Sequence, residues 1–333
     1  MKAFIVDRYG SADRVRASEA PDPEMREDDV LIEIHAAGVN PLDSKIRDGE
    51  FKLLLPYRLP LILGNELAGV VIRVGSRVRR FKPGDEVYAR PDKNRIGTFA
   101  EFIAVSEDDL AIKPKSLTME EAASIPLVGL TAWQALIEKA KLKKGQKILI
   151  HAGSGGVGTF AIQLAKHVGA IVATTTSTAN VDLVKRLGAD IVIDYKKDRF
   201  EEILRDCDVV LNSLDGETLK KSLRVLKPGG KLISISGPPD PDFAKGMGAS
   251  WILRQIMRLL SYRIRKKAKR HHVSYSFLFM KADGDQLRAI TPLIDSGIIR
   301  PVVDRVFPFE STKEAMAYVE HGRAKGKVIV KVR

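Results

Sequence analysis

The stretch Ile148-Leu149-Ile150-His151-Ala152-Gly153-Ser154-Gly155-Gly156-Val157-Gly158, running directly into Phe160-Ala161-Ile162-Gln163-Leu164-Ala165, decides the fold. An apolar strand delivers the chain into a glycine turn, and the turn opens a helix. Gly153, Gly155 and Gly156 let the backbone, with Ser154 and Val157, approach a pyrophosphate, and Gly158 lets the helix pack close to the strand. The helix N-terminus adds free N–H groups and a partial positive charge. Glycine turns also serve plain packing, but here strand, loop, helix and a second strand at 171–176 all stand at the spacing of a dinucleotide site.

Outward from this loop, strand and helix alternate. Strands are expected at 147–151, 171–176, 191–195, 209–214, 231–236 and 275–280, with helical patterns such as 160–168, 181–187 and 218–226 between them. That alternation predicts a parallel sheet with crossover helices, and six strands suit a doubly wound Rossmann fold. The first third differs. It has short strands at 30–36 and 67–74, punctuated by Gly75-Ser76 and Lys82-Pro83-Gly84-Asp85, and predicts a small β-barrel. After a helix near 285–296, the segments 300–304 and 327–332 return to β character. The expected domains are 1–124 with 299–333, and 125–298, the second carrying a basic helical insertion near 243–273.

The end of the second strand bears on the cofactor. An NAD site wants an acid there to bind the ribose 2′-hydroxyl. The chain instead has Thr174-Thr175-Thr176-Ser177-Thr178-Ala179-Asn180, and the next acid, Asp182, falls inside the following helix. Hydroxyls of Thr175, Thr176 and Ser177, with Tyr195 closing the third strand and Lys185 or Arg186 nearby, suit a 2′-phosphate. NADPH is the expected cofactor.

The 333 residues are 44% hydrophobic and 29% charged, which excludes a disordered or collagen-like chain. Lys and Arg number 55 against 42 Asp and Glu, a net charge of +13. More than half of that excess is local: Arg254, Arg258, Arg263, Arg265, Lys266, Lys267, Lys269 and Arg270 lie in a stretch with no acid between Asp242 and Asp283. Cys207 is the only cysteine, which argues against a disulfide framework or a cysteine-rich zinc knot. Asp7 interrupts the N-terminus before any signal-length apolar run, and the expected location is cytoplasmic.

Further motifs extend along the chain: Gly38-Val39-Asn40-Pro41-Leu42-Asp43, Leu63-Gly64-Asn65-Glu66-Leu67-Ala68-Gly69, Lys82-Pro83-Gly84-Asp85-Glu86-Val87, Gly97-Thr98-Phe99-Ala100-Glu101-Phe102 and Gly129-Leu130-Thr131-Ala132. Together with the glycine loop they resemble the medium-chain dehydrogenase/reductase superfamily over essentially the whole length, and within it the zinc-free quinone oxidoreductase and enone (enoate) reductase branch. The resemblance implies a GroES-like β-barrel catalytic domain beside the Rossmann domain. Zinc-dependent members carry a cysteine in the Gly-Val segment, a histidine where Asn65 stands and four cysteines in a lobe near residue 90. This chain lacks these residues, so no metal is expected. His35, His151, His271 and His272 read as structural or surface residues.

Without a Lewis acid, a conjugated carbonyl or a quinone is the acceptor best suited to hydride, because the charge delocalises into an enolate that hydrogen bonds stabilise. Asn40 is the first candidate for orienting substrate or the nicotinamide ribose; the plainer reading is an Asx turn. Tyr57 is the candidate donor to the enolate, with packing as its alternative. The segment 127–131, including Thr131, is expected under the nicotinamide, and Phe277 and Phe279, in the strand 275–280, form the expected apolar wall above it. Ser213 and Leu214 at the end of the fourth strand, and Lys325 beside Gly326, complete the expected cofactor set. A zinc-free alcohol dehydrogenase is the alternative enzyme, and an anionic-membrane binder that retains a cofactor fold is the alternative of another class.

In the basic segment, Ile252, Ile256, Leu259, Leu260 and Ile264 are expected on one helical face, opposite Arg254, Arg258, Arg265 and Lys269. The favoured reading packs the apolar face on the substrate cleft or on the partner of a homodimer; the other places the helix on an anionic membrane surface. Tyr262 is the lone aromatic among these bases and no nucleic-acid module is recognisable, which argues against nucleic acid.

Overall fold

Six parallel strands form the sheet that carries the glycine loop. They are β1 (Lys147–Ile150), β2 (Ile171–Thr176), β3 (Ile191–Asp194), β4 (Cys207–Asn212), β5 (Leu226–Ser234) and β6 (Ser274–Phe277), in the spatial order β3-β2-β1-β4-β5-β6. The order reverses between β1 and β4, which makes the end of β1 the topological switch point of a doubly wound sheet. The structure is a computed structural model that describes residues 1–52 and 55–333. Helix α1 (Gly156–Val168) follows β1 and ends on Gly169, whose φ of 86° is the left-handed conformation of a helix stop. Leu149, Ala173, Val210 and Leu232 from four of the strands meet in one buried cluster with Phe200, Leu219 and Ile264.

The chain divides into two compact units, Met1–Leu130 with Lys281–Arg333, and Thr131–Met280. In the first, a seven-stranded sheet runs Val303–Pro308, Lys327–Lys331, Asp29–Val39, Leu67–Val74, Glu86–Ala89 and Leu110–Ile112, with Phe102–Ser106 pairing back onto Asp29–Val39. A three-stranded sheet orders Val15–Glu19, Lys2–Val6 and Leu61–Ile62. Asp29–Val39 pairs with three neighbours, and its side chains on both faces are largely buried, which explains its β-branched and aliphatic run.

Several expected boundaries shift. The sixth strand ends at Phe277, so Phe279 and Met280 lie beyond the ladder. Helix Gly284–Asp295 belongs to the first unit rather than to the nucleotide unit: Tyr88 Oη donates to Leu287 O at 2.8 Å, and a Cβ at Gly284 would stand 2.3 Å from Leu110 O.

The basic segment folds as two helices, α2 (Trp251–Leu260) and α3 (Tyr262–Arg270), joined at Ser261. Its expected apolar face is corrected. The buried stripe is Met257, Ser261, Ile264 and Ala268, while Ile252, Ile256, Leu259 and Leu260 are exposed. Of the five apolar residues expected to pack together, only Ile264 does; the buried stripe keeps its helical spacing through Ser261 and lies on the neighbouring flank, where Ile264 and Ala268 join the core cluster.

Candidate functional site

In the nucleotide unit the loop is held by contacts from β2. Gly153 N donates to Thr175 O at 2.9 Å and Ala152 N to the Thr175 hydroxyl at 3.2 Å. Two glycines are required by close approach. A Cβ at Gly158 would stand 2.3 Å from Ala152 O and 2.7 Å from Gly153 Cα, and one at Gly153 would stand 2.1 Å from the Thr174 hydroxyl. Gly153 is thus a packing glycine against β2, whereas Gly155 and Gly156 are partly exposed at the mouth of α1. The amides of Gly156, Val157 and Gly158 open that helix and have no intrahelical acceptor. A shaped backbone with free donors at a helix N-terminus fits a pyrophosphate.

Below the loop lies a neutral polar layer. His151 is buried, its Nδ1 lies 3.1 Å from the Thr175 hydroxyl and its Nε2 lies 2.9 Å from the Ser222 hydroxyl. Burial pulls its pKa down from 6.5 to about 4, so the ring is uncharged at neutral pH.

Beside the loop, the Thr176 hydroxyl donates to Ser154 Oγ at 3.1 Å and Asn180 Nδ2 reaches the same oxygen at 3.1 Å and Ser177 Oγ at 3.2 Å. Asn180 Oδ1 is buried with no hydrogen-bond partner among the described residues. Sequence reading grouped the hydroxyls but missed the Asn180 hub. It also missed Asp194. Register pairs Thr176 with Asp194, and the Thr178 hydroxyl donates to its carboxylate at 2.5 Å. That bond, reinforced by Lys196 N and the charge of Lys197, holds the Asp194 carboxyl below its usual range. An acid therefore does stand near this strand end, supplied by β3 rather than β2. Tyr195, Lys185 and Arg186 are exposed.

Ser213 Oγ donates to His151 O at 3.4 Å, and Asn212 Nδ2 donates to Leu214 O at 3.1 Å. Phe277 is buried edge-on against Phe243 with ring centroids 5.0 Å apart, and Phe279 lies 6.3 Å from the same ring. Thr131 is buried in helix Pro126–Trp133. Burial raises the thiol of Cys207 to about 11, so it is an unreactive core residue.

The first unit builds a different site. Asn40 is the N-cap of helix Pro41–Arg47, in a capping box that Asp43 closes by accepting from Asn40 N at 2.7 Å. The amide of Asn40 turns inward. Nδ2 donates to Glu66 Oε1 at 2.8 Å, and Oδ1 accepts from Lys327 Nζ at 2.5 Å. Lys327 also lies 2.6 Å from Glu66 Oε1, while Glu66 Oε2 accepts from Leu127 N at 2.8 Å. All three side chains are buried. Gly38 is obligatory here, since a Cβ would fall 2.3 Å from Glu66 Oε1. Asn65 Nδ2 donates to Asp43 Oδ1 at 2.7 Å, and its own Oδ1 has no partner among the described residues. Burial pushes Asp43 up to about 6 against the pull of Asn65, the Asn40 amide and Lys327.

Tyr57 donates its hydroxyl to Lys93 O at 2.6 Å, and burial raises its pKa further. Lys325 is exposed, unlike Lys327 two residues on. Among the described residues no group of three or more His, Cys, Asp and Glu stands together to hold a metal ion. Asn40, Asn65 and Glu66 are an amide, an amide and a carboxylate already neutralised by an ammonium, a donor set that does not fit tetrahedral zinc.

Residues 26–115 match the alcohol dehydrogenase GroES-like domain, and residues 187–330 match the family described as zinc-binding dehydrogenase. A 2-methylene-furan-3-one reductase of Solanum lycopersicum is 38% identical, covering 99% of this chain and 79% of that protein. The chain belongs to the medium-chain dehydrogenase/reductase superfamily. Another member, an NADPH-dependent alkenal/one oxidoreductase of Arabidopsis thaliana described as chloroplastic, is 37% identical over 99% of this chain and 79% of its own length. A solved superfamily structure, the quinone oxidoreductase from Coxiella burnetii, is 31% identical with a TM-score of 0.85, covering 100% of this chain and 99% of that one. The GroES-like unit and the six-stranded Rossmann sheet are the superfamily's two parts, although the family description names a metal for which these residues offer no ligand set.

Proposed function

We propose that this protein is an NADPH-dependent, zinc-free reductase of an activated double bond, acting on an α,β-unsaturated carbonyl compound or a quinone. Its relatives named as alkenal/one oxidoreductase, furanone reductase and quinone oxidoreductase support the reaction class. The observation that carries the zinc-free part is the Asn40–Glu66–Lys327 cluster, where an ammonium already neutralises the carboxylate that the Asn40 side chain contacts. The bound cofactor supplies hydride to the alkene β-carbon, and a proton from solvent or an acid completes the reduction at the α-carbon. Without a Lewis acid, charge developing on the carbonyl oxygen must be met by hydrogen-bond donors. Tyr57 is assigned to that task and Asn40 to orienting substrate or the nicotinamide ribose; each must exchange a donor bond it makes within the protein, Tyr57 to Lys93 O and Asn40 to Gly38 O or Glu66. Lys327 polarises the Asn40 amide through its oxygen, which strengthens Nδ2 as a donor.

On the cofactor side the assignment is Gly153, Ser154, Gly155, Gly156 and Val157 to the pyrophosphate, and Thr175, Thr176, Ser177 and Tyr195 to the 2′-phosphate. Asp194 opposes a 2′-phosphate, and its bond to Thr178 together with Lys196 and Lys197 offsets that charge. Thr131, Ser213, Leu214, Phe277, Phe279 and Lys325 complete the set. The reading includes a homodimer and a cytoplasmic location.

The test is NADPH oxidation across enones, enals, quinones and saturated aldehydes, repeated with NADH. Turnover of the conjugated acceptors with NADPH preferred is expected. Equal affinity for both cofactors would remove the 2′-phosphate assignment, and metal-free oxidation of a saturated alcohol would favour an alcohol dehydrogenase.

A further inference from the structure

The three most exposed large apolar side chains among the described residues are Leu259 at 76%, Trp251 at 73% and Ile252 at 65%. All three lie on α2, where Ile256 and Leu260 join them. Positions 252, 256, 259 and 260 share one flank of the helix, beside the buried stripe that begins at Met257. Soluble proteins seldom leave such a contiguous ridge in water, and where they do it marks a binding surface.

Helix α3 follows at once and is different in kind. Arg263, Arg265, Lys266, Lys267, Lys269 and Arg270 are all exposed, as are Arg254 and Arg258 on α2. Among the described residues none of these eight makes an ion pair; Lys266 instead lies over the ring of Tyr262, 5.5 Å from its centroid. The helix pair is nonetheless firmly seated, since Met257, Ser261, Ile264 and Ala268 are buried, so the ridge is presented by a fixed element.

Charge and apolarity together select the occupant. A second copy meeting this face symmetrically would set Arg263, Lys266, Lys267 and Arg270, which continue the flank of the ridge, against the same four cations. A nucleic acid would neutralise the cations and leave the aliphatic ridge in water. An anionic bilayer satisfies both, with leucine, isoleucine and tryptophan entering the boundary between headgroups and acyl chains and the cations lying against acidic lipids. Among the described residues no helix is long and apolar enough to cross a membrane. We propose that α2 and α3 seat the protein on the surface of an anionic lipid bilayer, the α2 ridge inserted and the α3 cations against the headgroups. This is an addition to the reductase reading and does not depend on it.

Flotation of the full chain with vesicles of phosphatidylcholine alone, or of phosphatidylcholine with phosphatidylserine, tests it. Binding is expected only to the acidic vesicles, weakened by salt. In a Trp133→Phe background, Trp251 emission should shift to the blue on binding. Leu259→Ser with Leu260→Ser should reduce binding about tenfold or more, as should Lys266→Gln with Lys267→Gln, Lys269→Gln and Arg270→Gln. Both variants alter exposed positions, so thermal unfolding and NADPH oxidation without vesicles should be unchanged. Absence of binding to acidic vesicles overturns the proposal. So does binding that survives the leucine changes, which would reduce it to bare charge attraction. Self-association that those leucine changes abolish, without vesicle binding, would assign the ridge to a second copy and overturn it equally.

Discussion

The two units each bury a polar cluster beside their candidate site, and the clusters are built on opposite principles. In the first unit, Lys327, Glu66 and Asn40 form a charged group locked by a 2.6 Å ion pair. In the second, His151, Thr175 and Ser222 form a neutral one held by hydrogen bonds alone. A buried ion pair is stable only while both charges are present, because either one alone is left desolvated. A buried neutral imidazole is stable only while it remains unprotonated. The first cluster is thus vulnerable to substitution and the second to acid.

Breaking the charged cluster should have the largest effect. Lys327→Met leaves Glu66 buried without its cation and should lower stability by about 3–5 kcal/mol, read from the urea midpoint. Adding Glu66→Gln should recover most of it, and failure to recover would show that the lysine acts through packing.

Acid should distinguish the neutral cluster. His151 carries a folded pKa of about 4 against 6.5. Its contribution is complete above 6.5, falls as protons bind preferentially to the unfolded chain, and is lost by about pH 4, a total of about 3 kcal/mol. Asp43, raised to about 6, acts in the opposite sense, since its burial penalty is relieved as the pH falls. The difference between wild type and His151→Gln, followed by thermal melts across this range, isolates the imidazole. A difference that does not change with pH would mean the ring is not held neutral.

Gly158→Ala places a methyl 2.3 Å from Ala152 O, so α1 must shift. It should cost about 1–3 kcal/mol and weaken NADPH binding measured by fluorescence. Full retention of affinity would remove the loop from the cofactor site. The smallest effect is expected from Asn40→Ala, which should slow turnover about tenfold, equivalent to about 1.4 kcal/mol, with NADPH affinity little changed. Unchanged turnover would leave Asn40 as a structural partner of Glu66 and Lys327.

How much of this was legible in the sequence follows the range of the interactions. The glycine loop and the six alternating strands are local patterns repeated along the chain, and a strand such as 171–176 was readable to the residue. The packing role of Gly153 was not, because it depends on Thr174 in the next strand. Asp194 was overlooked because only the register between β2 and β3 sets it beside Thr176 and Thr178. Sequence reading singles out Lys325 beside Gly326 for the cofactor set, not Lys327. Antiparallel pairing of Val328 with Val39 sets it beside Asn40, and nothing near either residue announces that contact. The apolar face of the basic segment was misplaced for a related reason: a helical wheel ranks positions by apolarity, whereas packing of Ile264 and Ala268 into the core of the sheet decides which flank is buried.

The contact between Lys327 and Asn40 spans 287 residues of chain. The nucleotide unit lies in one continuous stretch between them, whereas the first unit cannot close its charged corner until strand Lys327–Lys331 has been made. During vectorial synthesis the unit that begins first therefore finishes last. Until then Glu66 has no buried cation, and the early strands must wait on the ribosome with their most polar position open.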